Sequence, residues 1–302
     1  MQNLQMSTAA LNILIPWDGA IPIDPVLAFA QAVGGPHARL MLLPFGSGCA
    51  GEWSRIETEP GSPRALLEVL DPAESSEPAM EIPAIAAMRN ADLILLATTC
   101  DPGGEIDARC HSARLALDSP IPVMLVRVDA NDQALLCQPI TRLLVPLDGS
   151  LRAAQALPLA ANLARNLNLG VHLVMVIDPR RVLPPAYAYD PEASAEMVAR
   201  LRNEAHGALT LAEGQLALQG VEVTSTLLYG PVISCLEAAV QPGDVIVMTT
   251  HGVGGALHDQ FGSVAARLVV DIAGPLVIMR GSLPESMVVK SRTSTGAFIS
   301  SR

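Results

Sequence analysis

Thr141-Arg-Leu-Leu-Val-Pro-Leu-Asp-Gly-Ser150 is a short apolar run that stops on Pro-x-Asp-Gly. Leu11-Asn-Ile-Leu-Ile-Pro-Trp-Asp-Gly-Ala20 repeats it, with Leu, Pro, Asp and Gly in one register. Two further pairs follow in the same order. Asp92-Leu-Ile-Leu-Leu-Ala-Thr98 answers to Asp244-Val-Ile-Val-Met-Thr-Thr250, and Pro122-Val-Met-Leu-Val-Arg127 to Pro275-Leu-Val-Ile-Met-Arg280. Each reads as a buried strand, and three matched strands in one order mark an internal duplication.

Between these anchors the second half is regular. Ser150 stands where a helix N-cap belongs, and Ala153, Leu157, Ala160, Ala164 and Leu167 follow at helical spacing, stopping before Gly170. Val171 to Ile177 is a strand. Asp190-Pro191 opens a helix whose stripe of Met197, Leu201, Ala205, Ala208, Ala212 and Leu216 ends at Gly220. Val221 to Leu228 reads as a strand, Pro231 to Val240 as a helix, Asp244 to Thr250 as a strand, Ser263 to Ile272 as a helix and Leu276 to Met279 as the last strand. Strands alternating with helices of this size predict a parallel sheet covered on both faces, with right-handed crossovers. The expected fold is therefore α/β: two tandem, doubly wound, five-stranded, Rossmann-like domains. They span residues 1–134 and 135–284, followed by a polar tail at 285–302. In the first half, Pro44 to Pro63 carries several Gly and Pro and predicts a loop.

Composition agrees. A chain of 302 residues is long enough for two domains. Half of the residues are hydrophobic but only 3% aromatic, so the cores must be aliphatic. Nineteen basic against 30 acidic residues leave a net charge of −11, which repels a polyanion, and no basic stripe offsets it; nucleic acid is not an expected partner. No apolar run approaches the roughly 20 residues of a membrane span. Met1 to Ala10 lacks a signal-like pattern, and a cytoplasmic protein is expected. The five cysteines form no Cys-x-x-Cys pair and no zinc spacing, which predicts reduced thiols. Cys100, Cys110 and His111 offer three soft ligands without a second cluster, short of a metal site.

Ligands of open parallel sheets bind beyond the carboxyl ends of the strands. In the second half those ends carry Asp148-Gly-Ser150, Asp178, and the stretch from Met248 to Val264 with Gly252, Gly254, Gly255 and Gly262-Ser263. Glycines admit close approach to a phosphate, and a helix N-terminus favours an anion. A glycine cluster taken alone reads more readily as a flexible surface loop.

The wider context resembles the signature of the universal stress protein family. A strand Asp-Val-Ile-Val-Met is followed by Thr-His-Gly, nine residues and Gly-Ser-Val-Ala, and Val-Pro-Leu-Asp-Gly-Ser stands at the other end of the domain. The resemblance covers roughly 141 to 280, more weakly 11 to 128. It implies that ATP, with or without Mg2+, is held by the second half. Asp148 would accept from the adenine amino group, with Pro146 and Val176 flanking the base. Met248, Thr249, His251 and Gly252 would line ribose and phosphates, and Gly262, Ser263 and Val264 would meet phosphate oxygens. Thr249 stands where the signature has its first glycine, and Asp259 adds negative charge. In the first half Cys100, Cys110 and His111 fall opposite Gly252, Gly262 and Ser263, which predicts a degenerate domain without nucleotide.

The resemblance further implies a regulatory module, with at most slow ATP hydrolysis. Its halves would pair through their last strands as an intrachain pseudo-dimer, which would also serve a homodimer or a regulatory protein partner. Two other functions fit the same fold: a nucleotide-free scaffold, and an ATP α-hydrolase-type enzyme. The latter usually carries a Ser-Gly-Gly-x-Asp-Ser loop where this chain reads Pro-Leu-Asp-Gly-Ser-Leu.

Overall fold

The computed structural model describes residues 11–45, 67–71, 78–98, 111–128, 139–182, 191–251, 263–271 and 274–281. The first half contains β1 (Asn12–Trp17), α1 (Ile23–Gly34), β2 (Arg39–Pro44), β3 (Leu67–Val69), α2 (Pro78–Met88), β4 (Leu93–Thr98), α3 (His111–Asp118) and β5 (Val123–Arg127). The second contains β6 (Arg142–Leu147), α4 (Leu151–Ala154), α5 (Ala156–Leu167), β7 (Val171–Ile177), α6 (Pro179–Val182), α7 (Pro191–Ala217), β8 (Val223–Tyr229), α8 (Val232–Ala239), β9 (Asp244–His251), α9 (Ser263–Asp271) and β10 (Leu276–Gly281).

The strands read as unbroken apolar runs because both faces of the sheet are covered. Ile13, Leu14 and Ile15 are consecutive in β1 and all fully buried. Alternate side chains feed two cores. One face collects Ile13, Ile15, Leu143 and Val145 under α1, α5 and α7; the other collects Leu14, Leu144, Ile246 and Met248 under α2, α3, α8 and α9.

Each half has the strand order 3-2-1-4-5, doubly wound, and every pairing inside a half is parallel. The halves do not remain separate sheets. β5 pairs antiparallel with β10, Leu125 opposite Leu276 and Val123 opposite Ile278, giving one ten-stranded sheet in the order β3-β2-β1-β4-β5-β10-β9-β6-β7-β8. Because that pairing is antiparallel, the carboxyl ends of the two half-sheets lie at opposite edges. The helices α1 and α5, one from each half, also pack together.

Local chemistry explains the boundaries. The helix expected to run unbroken from Ser150 is two: α4 ends at Ala154 and α5 starts at Ala156. Pro158 is the cause, since a proline lacks the N–H that would bond to Ala154 O and its ring collides with that carbonyl. Helix α5 stops on Asn168, left-handed at φ 54, before Gly170 is reached. Gly220, at φ 75, does end the α7 region as its position suggested. Helix α6 was not legible in the apolar pattern, because Pro-Arg-Arg-Val has none. Most of the Pro44–Pro63 stretch lies outside the described residues; Pro44 itself is the last residue of β2.

Candidate functional site

Strand β6 delivers Pro146 and Leu147 to the carboxyl edge of the sheet, where the chain turns sharply at Asp148-Gly149-Ser150. The turn is held by Asp148 Oδ1, which accepts from Ser150 N at 2.9 Å. Gly149 takes φ 81, a backbone that a side chain would strain. Ser150 then caps α4, its Oγ accepting from Ala153 N at 3.1 Å. The carboxylate of Asp148 is thereby fixed at an exposed rim with Oδ2 left over among the described contacts.

Next to this turn a cavity of ≈ 270 Å3 opens between β6, β7 and β9 on one side and α8 and α9 on the other. Its walls include Pro146, Val174 and Val176 from the strands, Val232 and Leu236 from α8, and Val264 and Ala265 from α9. Met248 and Thr249 close it beneath, and Asp148, Ser150 and Ala153 form the rim. Apolar walls with few polar groups at one end are what a flat heteroaromatic ring requires. The position also fits the rule for such sheets, since β6 and β9 are neighbours whose crossovers leave in opposite directions.

Six of the residues that the sequence put forward meet around this one cavity: Pro146, Asp148, Val176, Met248, Thr249 and Val264. His251 is the last residue of β9 and Ser263 the first of α9, which sets their backbones at the same edge. Gly252 and Gly262 lie outside the described residues, as do Cys100, Cys110 and Asp259. Sequence reasoning missed Val174, Val232, Leu236 and Ala265. Val174 is two residues before Val176 and on the same face, a signal within reach of period-two counting. Val232 and Leu236 come from the far side of a crossover, and only packing brings α8 over the site. Asp178, read as a loop residue, is buried and accepts from Arg180 N at 3.1 Å.

The first half repeats the turn with a bulkier residue beside it. Asp18 Oδ1 accepts from Ala20 N at 2.9 Å, as Asp148 does from Ser150. Ile15 pairs with Leu42 as Val145 pairs with Leu173, so three residues on, Phe45 stands where Val176 stands in the second half. Both pack on the same face of the sheet, and the phenyl ring therefore takes up room that valine leaves open. Trp17 replaces Leu147, buried and donating from Nε1 to Ile21 O at 2.7 Å.

At the opposite edge of the second half, Arg142, His172, Thr224 and Asp244 form a polar cluster. His172 Nδ1 lies 2.8 Å from Thr224 Oγ1. Burial first, then the neighbouring Arg142 guanidinium, holds the imidazole below its ordinary pKa, with Asp244 opposing. This cluster is on the far side of the sheet's length from the cavity.

A doubly wound α/β protein with an aromatic-sized cavity at its switch point is the class that fold and site define. Within that class, residues 139–280 match the family described as the Universal stress protein family. A universal stress protein of Methanocaldococcus jannaschii is 28% identical over 142 residues, 46% of this chain and 81% of that protein. The structure resembles that of a universal stress protein from Archaeoglobus fulgidus, with TM-score 0.59, 17% identity, and coverage of 90% of this chain and 99% of the other. A putative universal stress protein from Pseudomonas aeruginosa gives TM-score 0.62 at 15% identity, over 91% and 94% of the two chains. Residues 139–280 thus belong to the universal stress protein family.

Proposed function

We propose that the cavity of the second half holds ATP, one molecule per chain, and that the protein works as a nucleotide-dependent regulatory module. The observation that carries this reading is the meeting of Pro146, Asp148, Val176, Met248, Thr249 and Val264 around one cavity beside a rigid Asp-Gly-Ser turn. The apolar walls suit both faces of a purine, and the free Asp148 oxygen suits an exocyclic amine. Gly252, Gly262 and Ser263 would receive the phosphates, with Mg2+ as an accompanying ion. The first half would carry no nucleotide, since Phe45 replaces Val176 there and Trp17 replaces Leu147.

In this reading residues 1–134 are a degenerate domain, 135–284 the binding domain and 285–302 a tail. The two act as an intrachain pseudo-dimer joined where β5 meets β10. ATP-bound and empty forms would differ in contacts with a second copy or a regulatory protein in the cytoplasm, with hydrolysis slow at most. Among the described residues no helix is long and apolar enough to cross a membrane. The deciding experiment is isothermal titration of the purified, nucleotide-stripped chain with ATP, alongside analysis of nucleotide released on denaturation. One site per chain is expected. Two sites, or none, would overturn the reading.

A further inference from the structure

Arg152 sits between two residues of the cavity rim, Ser150 and Ala153, and is not itself among the residues that line the cavity. Its Cβ lies by the ends of β9 and β10. A Cβ placed on Gly281 would lie 3.5 Å from Arg152 Cβ, 3.5 Å from Thr249 Cβ and 3.1 Å from Thr250 O. Gly281 is opposite His251, so this is the point where the chain leaves β9. The Cβ atoms of Arg152 and of Thr249, which is itself part of the cavity, thus flank one point over the strand ends.

There the guanidinium is poorly provided for. Arg152 Nε is buried and has no hydrogen-bond partner. The ion pairs of Arg39, Arg89, Arg142 and Arg200 each supply a carboxylate, whereas among the described residues none is supplied to Arg152. A buried N–H without a partner is costly, and in a chain of net charge −11 carboxylates are not scarce. An unneutralised guanidinium beside a ligand cavity is matched to an anion that arrives with the ligand. Its planar fork suits phosphate oxygens, to which it bonds at two points.

We infer that Arg152 reads the polyphosphate of the nucleotide, making it the residue that separates ATP from adenosine at this site. The inference rests on the nucleotide reading of the cavity given above. It assigns to a side chain of α4 a role that the sequence reading placed in the stretch from Met248 to Val264.

The test is isothermal titration of the wild type, Arg152→Gln and Arg152→Lys with ATP and, separately, with adenosine, at low and high salt. Loss of a charge-assisted bond predicts an ATP affinity about 10- to 100-fold lower in Arg152→Gln, with adenosine within twofold of wild type. Arg152→Lys should recover part of the ATP affinity, because the charge returns without the fork. In the wild type, ATP binding should weaken with salt while adenosine binding does not. Equal losses for both ligands would make Arg152 a structural residue and overturn the inference, as would an unchanged ATP affinity. Adenosine bound as tightly as ATP by the wild type would overturn it while leaving the cavity a nucleoside site. Binding of neither would overturn both readings. Thermal melting shows whether each variant folds, and the wild-type salt comparison decides the matter if Arg152→Gln does not.

Discussion

Arg142 and Asp244 close the amino ends of β6 and β9 with a two-point ion pair, Nε to Oδ1 at 3.0 Å and Nη2 to Oδ2 at 2.6 Å. The Asp244 side chain is only 1% exposed, and its Oδ2 also accepts from Gln241 N at 2.9 Å. Arg142 Nη2 reaches Ala239 O, tying in the end of α8. The first half has the same clasp in a weaker form: Asp92 Oδ2 accepts from the Asn12 backbone N at 2.9 Å and from Asn12 Nδ2 at 3.2 Å.

Arg142→Ala should therefore be costly, because it strands a buried carboxylate. A loss of about 3 kcal/mol is expected in urea unfolding, against about 1 kcal/mol for Asn12→Ala, where Asp92 is exposed and keeps its backbone donor. Comparable losses at the two sites would show that the Asp244 clasp is not a buried pair in solution.

His172 makes stability depend on pH with a definite sign. Its pKa is lowered in the folded chain from 6.5, so the unfolded chain binds the proton more readily. Stability is then complete above 6.5 and falls as pH drops through 6.5 towards the lowered folded value. His172→Asn should flatten that part of the curve. Unfolding free energies of both proteins across mildly acidic to neutral pH provide the check; parallel curves would refute the assignment.

Gly243 and Gly149 both have left-handed backbones, φ 85 and 81, but different surroundings. A Cβ on Gly243 would lie 2.7 Å from Pro139 O and 2.8 Å from Thr141 Oγ1, while one on Gly149 meets nothing within 4 Å. Alanine at either position carries the backbone cost of about 1–2 kcal/mol. At Gly243 the collision with main chain adds about 1–3 kcal/mol more. Chemical denaturation of the two variants should rank Gly243→Ala well below Gly149→Ala.

Val176→Phe imports into the second half the residue that the first half has at Phe45. The ring should occupy the cavity, reducing ATP binding at least 100-fold, while stability changes by less than about 1.5 kcal/mol because space is already present. Titration and thermal melting of the same preparation check both parts. Undiminished binding would place the nucleotide elsewhere.

Much of this molecule is legible in order along the chain. β7 and the Ser150 cap follow from alternation, apolar runs and capping chemistry, which act over a few residues. The break between α4 and α5 was also available, in Pro158, but is masked by an apolar stripe that continues across it. Phe45 and Val176 could be matched only once the pairings of Leu42 and Leu173 were known, since the connecting segments differ. Arg152 looks in sequence like an ordinary polar residue of a helix start; that its Nε is buried without a partner is visible only in the fold.

By itself, then, the sequence determined the duplication, the identity of the parallel strands and the Asp-Gly turns, because propensity, period and backbone strain are local. The tertiary structure alone decided which walls enclose the cavity, that Phe45 stands opposite Val176, and where Arg152 lies. It also decided that β5 and β10 join the halves into one sheet. An apolar strand is buried equally well beside several neighbours, so its partner is chosen by the fit of surfaces distant in sequence, and that choice places Val176, Leu236 and Val264 around a single space.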